Sequence, residues 1–281
     1  MERAAGAGEK KPILNEWTRM VLEKGIGTLV PKIYEDFGEK LPDVVILPDT
    51  SARPLYYAFK PSFERVAAEK GIKPPHFYFF KTARPNEDLQ NIEIATEIDE
   101  SMPFQELLRR VKSINPKMGS EIEEDIPRME NEREHMKVRA EEISTHEARR
   151  GSEQPSIAVI DEFTTYNAST VRELRRAFQM PELKAYAVFT KGTDKVVSGY
   201  VTGPQDEQDY DPEKGYLAKL SYTQKDAVGV TKDDVVGPHS VLIDAEDPKA
   251  LAADKKQLRD EMTAVGRRIA ENLSLPATRS G

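Results

Sequence analysis

Four short runs of the chain are apolar or aromatic at every position. They span residues 44–47, 77–80, 157–160 and 185–189. A run without polar alternation is typical of a strand buried on both faces, as strands are in a parallel sheet. Residues 196–201 predict a fifth strand after a turn at 192–194, and residues 241–243 predict a further one.

Helical spacing of apolar residues separates these runs. Residues 13–40 predict two helices, with Gly25 and Gly27 as the break between them. Residues 54–70, 104–111 and 169–178 predict one helix each, and Pro54 suits a first helical turn. Asp247 and Pro248 predict the N-cap and first residue of a last helix, whose buried stripe would be Leu251, Leu258, Met262, Val265 and Ile269.

Residues 119–150 form a highly charged segment with ten acidic and six basic residues. Apolar residues still recur every three or four positions, which predicts an amphipathic helix with a narrow apolar seam, restarted at Pro127. Arg133 fills the one gap in this seam: Ile122, Ile126, Met129, Met136, Ala140 and Ile143. One interpretation is a helix that covers the sheet. The alternative is a dimerisation helix, which would make the protein a homodimer.

Composition narrows the classes of protein that fit. The chain has 281 residues, a formal net charge of −8 and no cysteine, which excludes disulfides and thiolate zinc sites. No apolar run approaches the roughly 20 residues that span a bilayer, and residues 1–11 lack a signal-peptide pattern. We therefore expect a cytoplasmic protein with no membrane partner. The acidic balance argues against a nucleic-acid partner, and the four histidines lack metal-ligand spacing: His76, His135, His146 and His239.

Candidate chemistry follows the third predicted strand. Asp161 and Glu162 stand directly after its apolar run, and small hydroxylic residues then lead into a helix: Thr164, Thr165, Ser169 and Thr170. Adjacent carboxylates suit sugar hydroxyls or a hydrated Mg²⁺. A helix N-terminus with hydroxyl donors suits a phosphate. The alternative is an N-cap turn with a solvated acidic pair, and the motif alone gives both interpretations equal weight.

Residues 157–170 resemble the ribose-phosphate binding motif of the type I phosphoribosyltransferases. That family has four apolar strand residues, two acidic residues and a loop of the type Thr-Gly-x-Thr before a helix. The resemblance implies that Asp161 and Glu162 contact the ribose hydroxyls of phosphoribosyl pyrophosphate and hold Mg²⁺. It implies that residues 164–170 bind the 5′-phosphate, with the loop on Tyr166, Asn167, Ala168 and Ser169.

The ends of the first two predicted strands carry further candidates. After the first strand, a segment similar to the family's pyrophosphate loop comprises Asp49, Thr50, Ser51, Ala52 and Arg53. Guanidinium groups bind phosphate oxygens in a bidentate way. After the second strand, Lys81 and Arg84 loosely match a basic segment of the family. The alternatives are a capped helix with a surface arginine, a solvated basic turn, and an aspartyl phosphatase, which needs a second aspartate where this chain has Ser51.

The resemblance implies an α/β fold with a doubly wound, mainly parallel sheet. We expect a helical segment at residues 1–40, a phosphoribosyltransferase-like core at 41–202 with the charged helix as an insert, and a long loop with a packed helix at 203–281. The implied activity is phosphoribosyl transfer to a base, a glycosyltransferase reaction of nucleotide metabolism. Arg53, Lys81, Arg84 and Mg²⁺ would stabilise the departing pyrophosphate. The alternative is a non-catalytic sensor or assembly module for a nucleotide or sugar phosphate, which Tyr166 and Asn167 favour.

Overall fold

A computed structural model describes residues 12–14, 16–48, 52–80, 104–163, 168–189, 196–197, 200–202 and 248–275. The helices in these ranges are α1 (Glu16–Asp36), α2 (Arg53–Lys70), α3 (Phe104–Ile114), α4 (Pro116–Arg149), α5 (Ala168–Phe178) and α6 (Pro248–Asn272). The strands are β1 (Val44–Pro48), β2 (His76–Phe80), β3 (Ile157–Phe163), β4 (Lys184–Phe189), β5 (Val196–Val197) and β6 (Tyr200–Thr202). None of the helices in the described ranges is both long and apolar enough to cross a bilayer.

The strands form one sheet in the order β2-β1-β3-β4-β6-β5. β1 pairs in parallel with β2 and β3, and β4 pairs in parallel with β3 and β6. Only β5 runs antiparallel to its neighbour. All five residues of β1 are buried, since the strand is central and covered on both faces. The apolar runs therefore predicted a mainly parallel sheet correctly.

Helices cover both faces of this sheet. Val45 and Leu47 of β1 share one apolar cluster with residues of α1, α2 and α6. Val44 and Ile46 share the other cluster with residues of α4 and α5. Successive side chains of a strand point to opposite faces, so this division follows from the alternation along β1. The molecule has the α/β character that the sequence predicts.

The predicted break in the first helix is wrong, because α1 is continuous from Glu16 to Asp36. A Cβ atom at Gly25 would lie 3.0 Å from Cγ1 and 3.2 Å from the carbonyl oxygen of Val188. Gly25 therefore allows α1 to lie close against β4, and its missing side chain does not end the helix. The predicted fifth strand is also corrected, since it is divided into β5 and β6, which pair antiparallel.

The charged segment is one helix, α4, which continues through Pro127. Met136, Ala140 and Ile143 are buried in the cluster that contains Val44 and Ile46, so this half of the seam covers the sheet. The predicted stripe on α6 is buried at Leu258, Met262, Val265 and Ile269. The predicted strand at 241–243, the Asp247 cap and the side chain of Leu251 lie outside what the structure describes.

Candidate functional site

The sheet changes its direction of growth between β1 and β3. From β1 the chain passes through α2 to β2 on one side, and from β3 it passes through α5 to β4 on the other. α2 and α5 also pack on opposite faces. In open α/β sheets such a divergence leaves a crevice at the carboxyl ends of the two strands, where ligands bind. The carboxyl ends of β1 and β3 are therefore the candidate site.

Asp161 lies at this edge. It belongs to β3, pairs in register with Ala187 of β4, and is only 4% exposed. Two residues earlier, Val159 belongs to the cluster on the α4 and α5 face, so Asp161 shares that face. Glu162 is the next residue of the strand, which ends at Phe163. The acidic pair predicted to contact a ribose thus belongs to the strand and not to the loop after it.

The N-terminus of α2 meets the same edge. Arg53 is its first residue and Pro54 lies in its first turn. The N-cap is Ala52, which is fully buried and gives no side-chain hydrogen bond to the helix. The alternative of an Asp or Thr N-cap is therefore wrong here. Within the first turn, Pro54 has no backbone N–H and the Leu55 N–H donates to the Ala52 carbonyl oxygen at 3.0 Å, so this turn offers few N–H groups to a ligand.

The N-terminus of α5 is the third part of the edge. Ala168, Ser169 and Thr170 form its first turn. Several predicted residues lie outside the described part of the chain, and their grouping with Asp161 stays a prediction: Asp49, Thr50, Ser51, Lys81, Arg84, Thr164, Thr165, Tyr166 and Asn167. The described residues thus bring Asp161, the start of α2 and the start of α5 to one edge of the sheet.

One salt bridge fixes α5 against α4, and a second salt bridge within α5 shares the same carboxylate. Arg133 donates to both carboxylate oxygens of Glu173, through Nε at 3.0 Å and an Nη at 2.8 Å. Arg176 donates to the same carboxylate at 2.7 Å. Glu173 is buried, so these charge-assisted hydrogen bonds are shielded from water. Arg133, the polar residue in the apolar seam of α4, therefore anchors α5. The helix α5 begins at the candidate site.

A second polar cluster lies at the opposite, amino edge of the sheet. Glu147 in the last turn of α4 is buried, with a side chain 3% exposed. Nδ1 of His76 lies 2.9 Å from both of its oxygens, and the Tyr78 hydroxyl donates to Oε1 at 2.5 Å. Nδ1 of His146 lies 3.1 Å from Oε1 and 2.6 Å from the Tyr78 hydroxyl. One carboxylate thus joins α4 to the edge strand β2.

The environment of this cluster shifts two pKa values. Burial alone would raise the pKa of Glu147, but hydrogen bonds from Tyr78, His76 and His146 outweigh burial and hold that pKa below its ordinary value. Burial, and then the hydrogen bond to Glu147, raises the pKa of Tyr78. Glu147 is thus an anion and Tyr78 a neutral donor at neutral pH. Across the described ranges, no three His, Cys, Asp or Glu residues are arranged to hold a metal ion.

This cluster was not predicted from the sequence, although α4 carries a signal for it. Glu147 follows Ile143 by four residues, so it occupies the buried face that Met136, Ala140 and Ile143 define. A carboxylate on a buried face needs hydrogen-bond donors. Its donors on β2 are about 70 positions away in the chain, and no local spacing reveals them.

Comparisons of this chain with protein-family models, with curated proteins and with solved structures find no match.

Proposed function

We propose that this protein binds phosphoribosyl pyrophosphate with Mg²⁺ at the carboxyl edge of its sheet and transfers the phosphoribosyl group to a base. In this proposal the fold is the doubly wound phosphoribosyltransferase type. The observation that carries the proposal is the position of Asp161, at the point where α2 and α5 diverge from neighbouring parallel strands. That arrangement offers a carboxylate, the N-terminus of α5 and the Arg53 end of α2 to one ligand.

Each part of the proposed substrate has a chemical counterpart at this edge. The carboxylates of Asp161 and Glu162 would accept hydrogen bonds from the ribose hydroxyls, which requires both to reach one ligand although neighbouring residues of a strand point to opposite faces. The first turn of α5 would bind the 5′-phosphate through backbone N–H groups. Arg53 at the start of α2, together with Lys81 and Arg84, would face the pyrophosphate. The ligand is thus held at both ends, with its reacting carbon between them.

Catalysis in this proposal is electrostatic. Positive charge develops on the ribose as pyrophosphate departs, and the carboxylates of Asp161 and Glu162 would stabilise that charge. The cations of Arg53, Lys81 and Arg84 would stabilise the charge on the leaving group. Carboxylate oxygens suit Mg²⁺, so Asp161 and Glu162 fit its donor set, and the bound metal would neutralise pyrophosphate charge.

A second candidate is a sensor or assembly module that binds the same ligand without turnover. Tyr166 and Asn167 favour it, because they replace the small threonine and the glycine of the family loop. Glycine adopts backbone angles that let a phosphate approach closely, and a tyrosine side chain occupies space beside it. Both candidates share the ligand and differ in pyrophosphate release.

The test measures ligand binding and turnover separately. At a ligand concentration one hundred times Kd, binding stabilises the fold by about 2.7 kcal/mol, which raises Tm by about 5–10 °C. We expect phosphoribosyl pyrophosphate with Mg²⁺ to give such a shift, and the double variant Asp161→Asn, Glu162→Gln to lose it. Glu142→Gln is the matched control, since Glu142 is an exposed residue of α4.

Pyrophosphate release with a panel of bases then separates the two candidates. Release supports the transferase, and ligand stabilisation without release supports the sensor. Binding that the double variant leaves intact would show that the site is assigned to the wrong residues. Absence of any stabilisation in the wild type would reject both candidates.

A further inference from the structure

A groove of about 760 Å³ lies between residues 56–65 of α2 and residues 263–271 of α6. Its lining includes tyrosines and cations of α2 and small or cationic residues of α6: Tyr56, Tyr57, Lys60, Arg65, Thr263 and Arg267. Small-molecule sites have volumes of about 300–1,000 Å³. The groove is therefore large enough for a ligand the size of a nucleotide.

The helices that form the groove cross closely. A Cβ atom at Gly266 of α6 would lie 2.5 Å from the carbonyl oxygen and 2.9 Å from the Cα atom of Ala58 in α2. The two backbones are therefore in direct contact at this crossing. Thr263 and Ala270 lie on either side of Gly266 in α6 and also line the groove. Short side chains on α6 thus leave open the space that Tyr56 and Tyr57 border.

The aromatic side of the groove is fixed by ring contacts. The Tyr56 ring meets Tyr57 at 5.1 Å, Phe77 at 5.1 Å and Phe79 at 5.8 Å between centroids, each edge to face. Edge-to-face packing on three neighbours sets the plane of the ring. The ammonium of Lys60 lies 5.6 Å from the Tyr56 centroid, over the ring. Tyr56 is thus an oriented aromatic surface next to a cation.

The charges of the groove favour an anion. Lys60, Arg65 and Arg267 line it against two carboxylates, Glu64 and Glu271, which leaves a net charge of +1. A hydrogen bond to Tyr56 raises the pKa of Lys60, so this amine stays cationic at neutral pH. Lys60 lies 3.8 Å from Glu64, a distance typical of a weak surface pair. A phosphate that binds Lys60 has little ion pairing to displace.

We propose that this groove binds a nucleoside monophosphate. The phosphate pairs with Lys60 and Arg267, and this pairing draws the Lys60 ammonium from the face of Tyr56 on which the base then stacks. Aromatic rings next to cations are the combination that binds a base and a phosphate of one ligand. This inference does not rest on the proposed function, because it concerns other residues and a ligand that carries a base.

The test uses adenosine 5′-monophosphate as the probe, with the full chain and isothermal titration calorimetry. Stacking on an aromatic residue contributes about 1–3 kcal/mol per base, so we expect Tyr56→Leu to weaken binding by about tenfold or more. Arg267→Gln should weaken it by about tenfold. Arg267 is exposed, so this variant should keep the wild-type Tm even if Tyr56→Leu does not. Arg109→Gln, a change of an exposed arginine on α3, is the matched control.

Two comparator ligands and one more variant complete the experiment. Adenosine and inorganic phosphate should each bind at least tenfold more weakly than the monophosphate, since each lacks one half of the ligand. Failure to detect saturable binding, or equal affinity in Arg267→Gln and wild type, would overturn the proposal. So would equal affinity for inorganic phosphate. Binding that is lost in Asp161→Asn and kept in Arg267→Gln would instead assign the ligand to the carboxyl edge.

Discussion

Glu147 offers the sharpest test of how the fold is held together. The substitution Glu147→Gln keeps the shape of the side chain and removes its charge. Glu147 is buried at the end of α4 and accepts hydrogen bonds from Tyr78 and from two histidines. Two of these donors belong to β2, so the substitution acts on the contact between a helix and an edge strand.

The magnitude follows from the number of donors. A hydrogen bond to a charged group contributes about 1.5–3 kcal/mol, and a buried donor without an acceptor costs about 1–3 kcal/mol. Glutamine keeps one oxygen for Tyr78 and presents an NH₂ group where His76 now finds the second oxygen. We therefore expect the free energy of unfolding at pH 7 to fall by about 2–3 kcal/mol, measured by urea unfolding with circular dichroism.

The pH dependence has a defined sign. The pKa of Glu147 in the folded protein lies below its ordinary value of 4.5. A carboxyl group with a lowered folded pKa contributes its full stability above the unfolded pKa and loses it as pH falls through the folded pKa. The stability difference between wild type and Glu147→Gln should therefore narrow as pH falls below about 4.5.

The control is Glu142→Gln on the same helix. Glu142 is 57% exposed and pairs with Arg139 at 2.8 Å. Exposed pairs contribute about 0–1 kcal/mol, so this variant should lose less than 1 kcal/mol. If Glu147→Gln loses no more than Glu142→Gln, or if its deficit persists unchanged at pH 3, the account of Glu147 as a buried anion is wrong.

Two further predictions concern the packing of α6. Glu261 accepts the backbone N–H groups of Ile13 and Leu14 at 3.0 and 2.8 Å, so Glu261→Gln should lower the free energy of unfolding by about 1–2 kcal/mol in the same urea assay. Gly266→Ala should lower Tm, although alanine in a helix is normally favoured over glycine by about 1 kcal/mol, because its Cβ would meet the backbone of Ala58.

Each of these predictions has a control. Asp260→Asn changes the exposed neighbour of Glu261 and should leave stability within about 0.5 kcal/mol of wild type. Gly27→Ala places a Cβ 3.9 Å from Ile269, an ordinary contact, and should raise Tm. A higher Tm for Gly266→Ala would contradict the close crossing of α2 and α6. A loss for Glu261→Gln no larger than for Asp260→Asn would contradict the role of Glu261.

Among the described elements, the sequence predicted best those strands in which nearly every residue is buried. The apolar runs of β1, β3 and β4 were predictable because a strand covered on both faces excludes polar side chains, whereas β2 is an edge strand with four of its five residues half-buried. Gly25 was misread because glycine ends some helices and permits close packing in others. Only the position of Val188, more than 160 residues later, distinguishes these roles. Residues 196–201 are divided into two strands because β6 pairs with β4. The strand propensity of the residues alone carries no information about such pairing.

The candidate site, like the fold, was predicted from the sequence in part. Polar residues directly after apolar strands placed Asp161 and Arg53 at one edge, since parallel strands end on the same side. The cluster around Glu147 was not predicted, because its members come from two segments that only the fold joins. Arg133 interrupts the apolar seam of α4, and its ion pair with Glu173 explains why a polar residue stands there.

Of the described helices, α6 is the last to be synthesised, because it lies nearest the C-terminal end of the chain. Of the described helices, those that cover the Val44 and Ile46 face are complete once residue 178 has left the ribosome. On the opposite face α1 and α2 also come early, but Met262 and Val265 of α6 join their cluster only after residues 248–272 have emerged. During translation of residues 203–247 a nascent chain therefore exposes the apolar surface of α1 and α2 that α6 later covers. In that interval the exposed apolar surface can bind chaperones or drive aggregation.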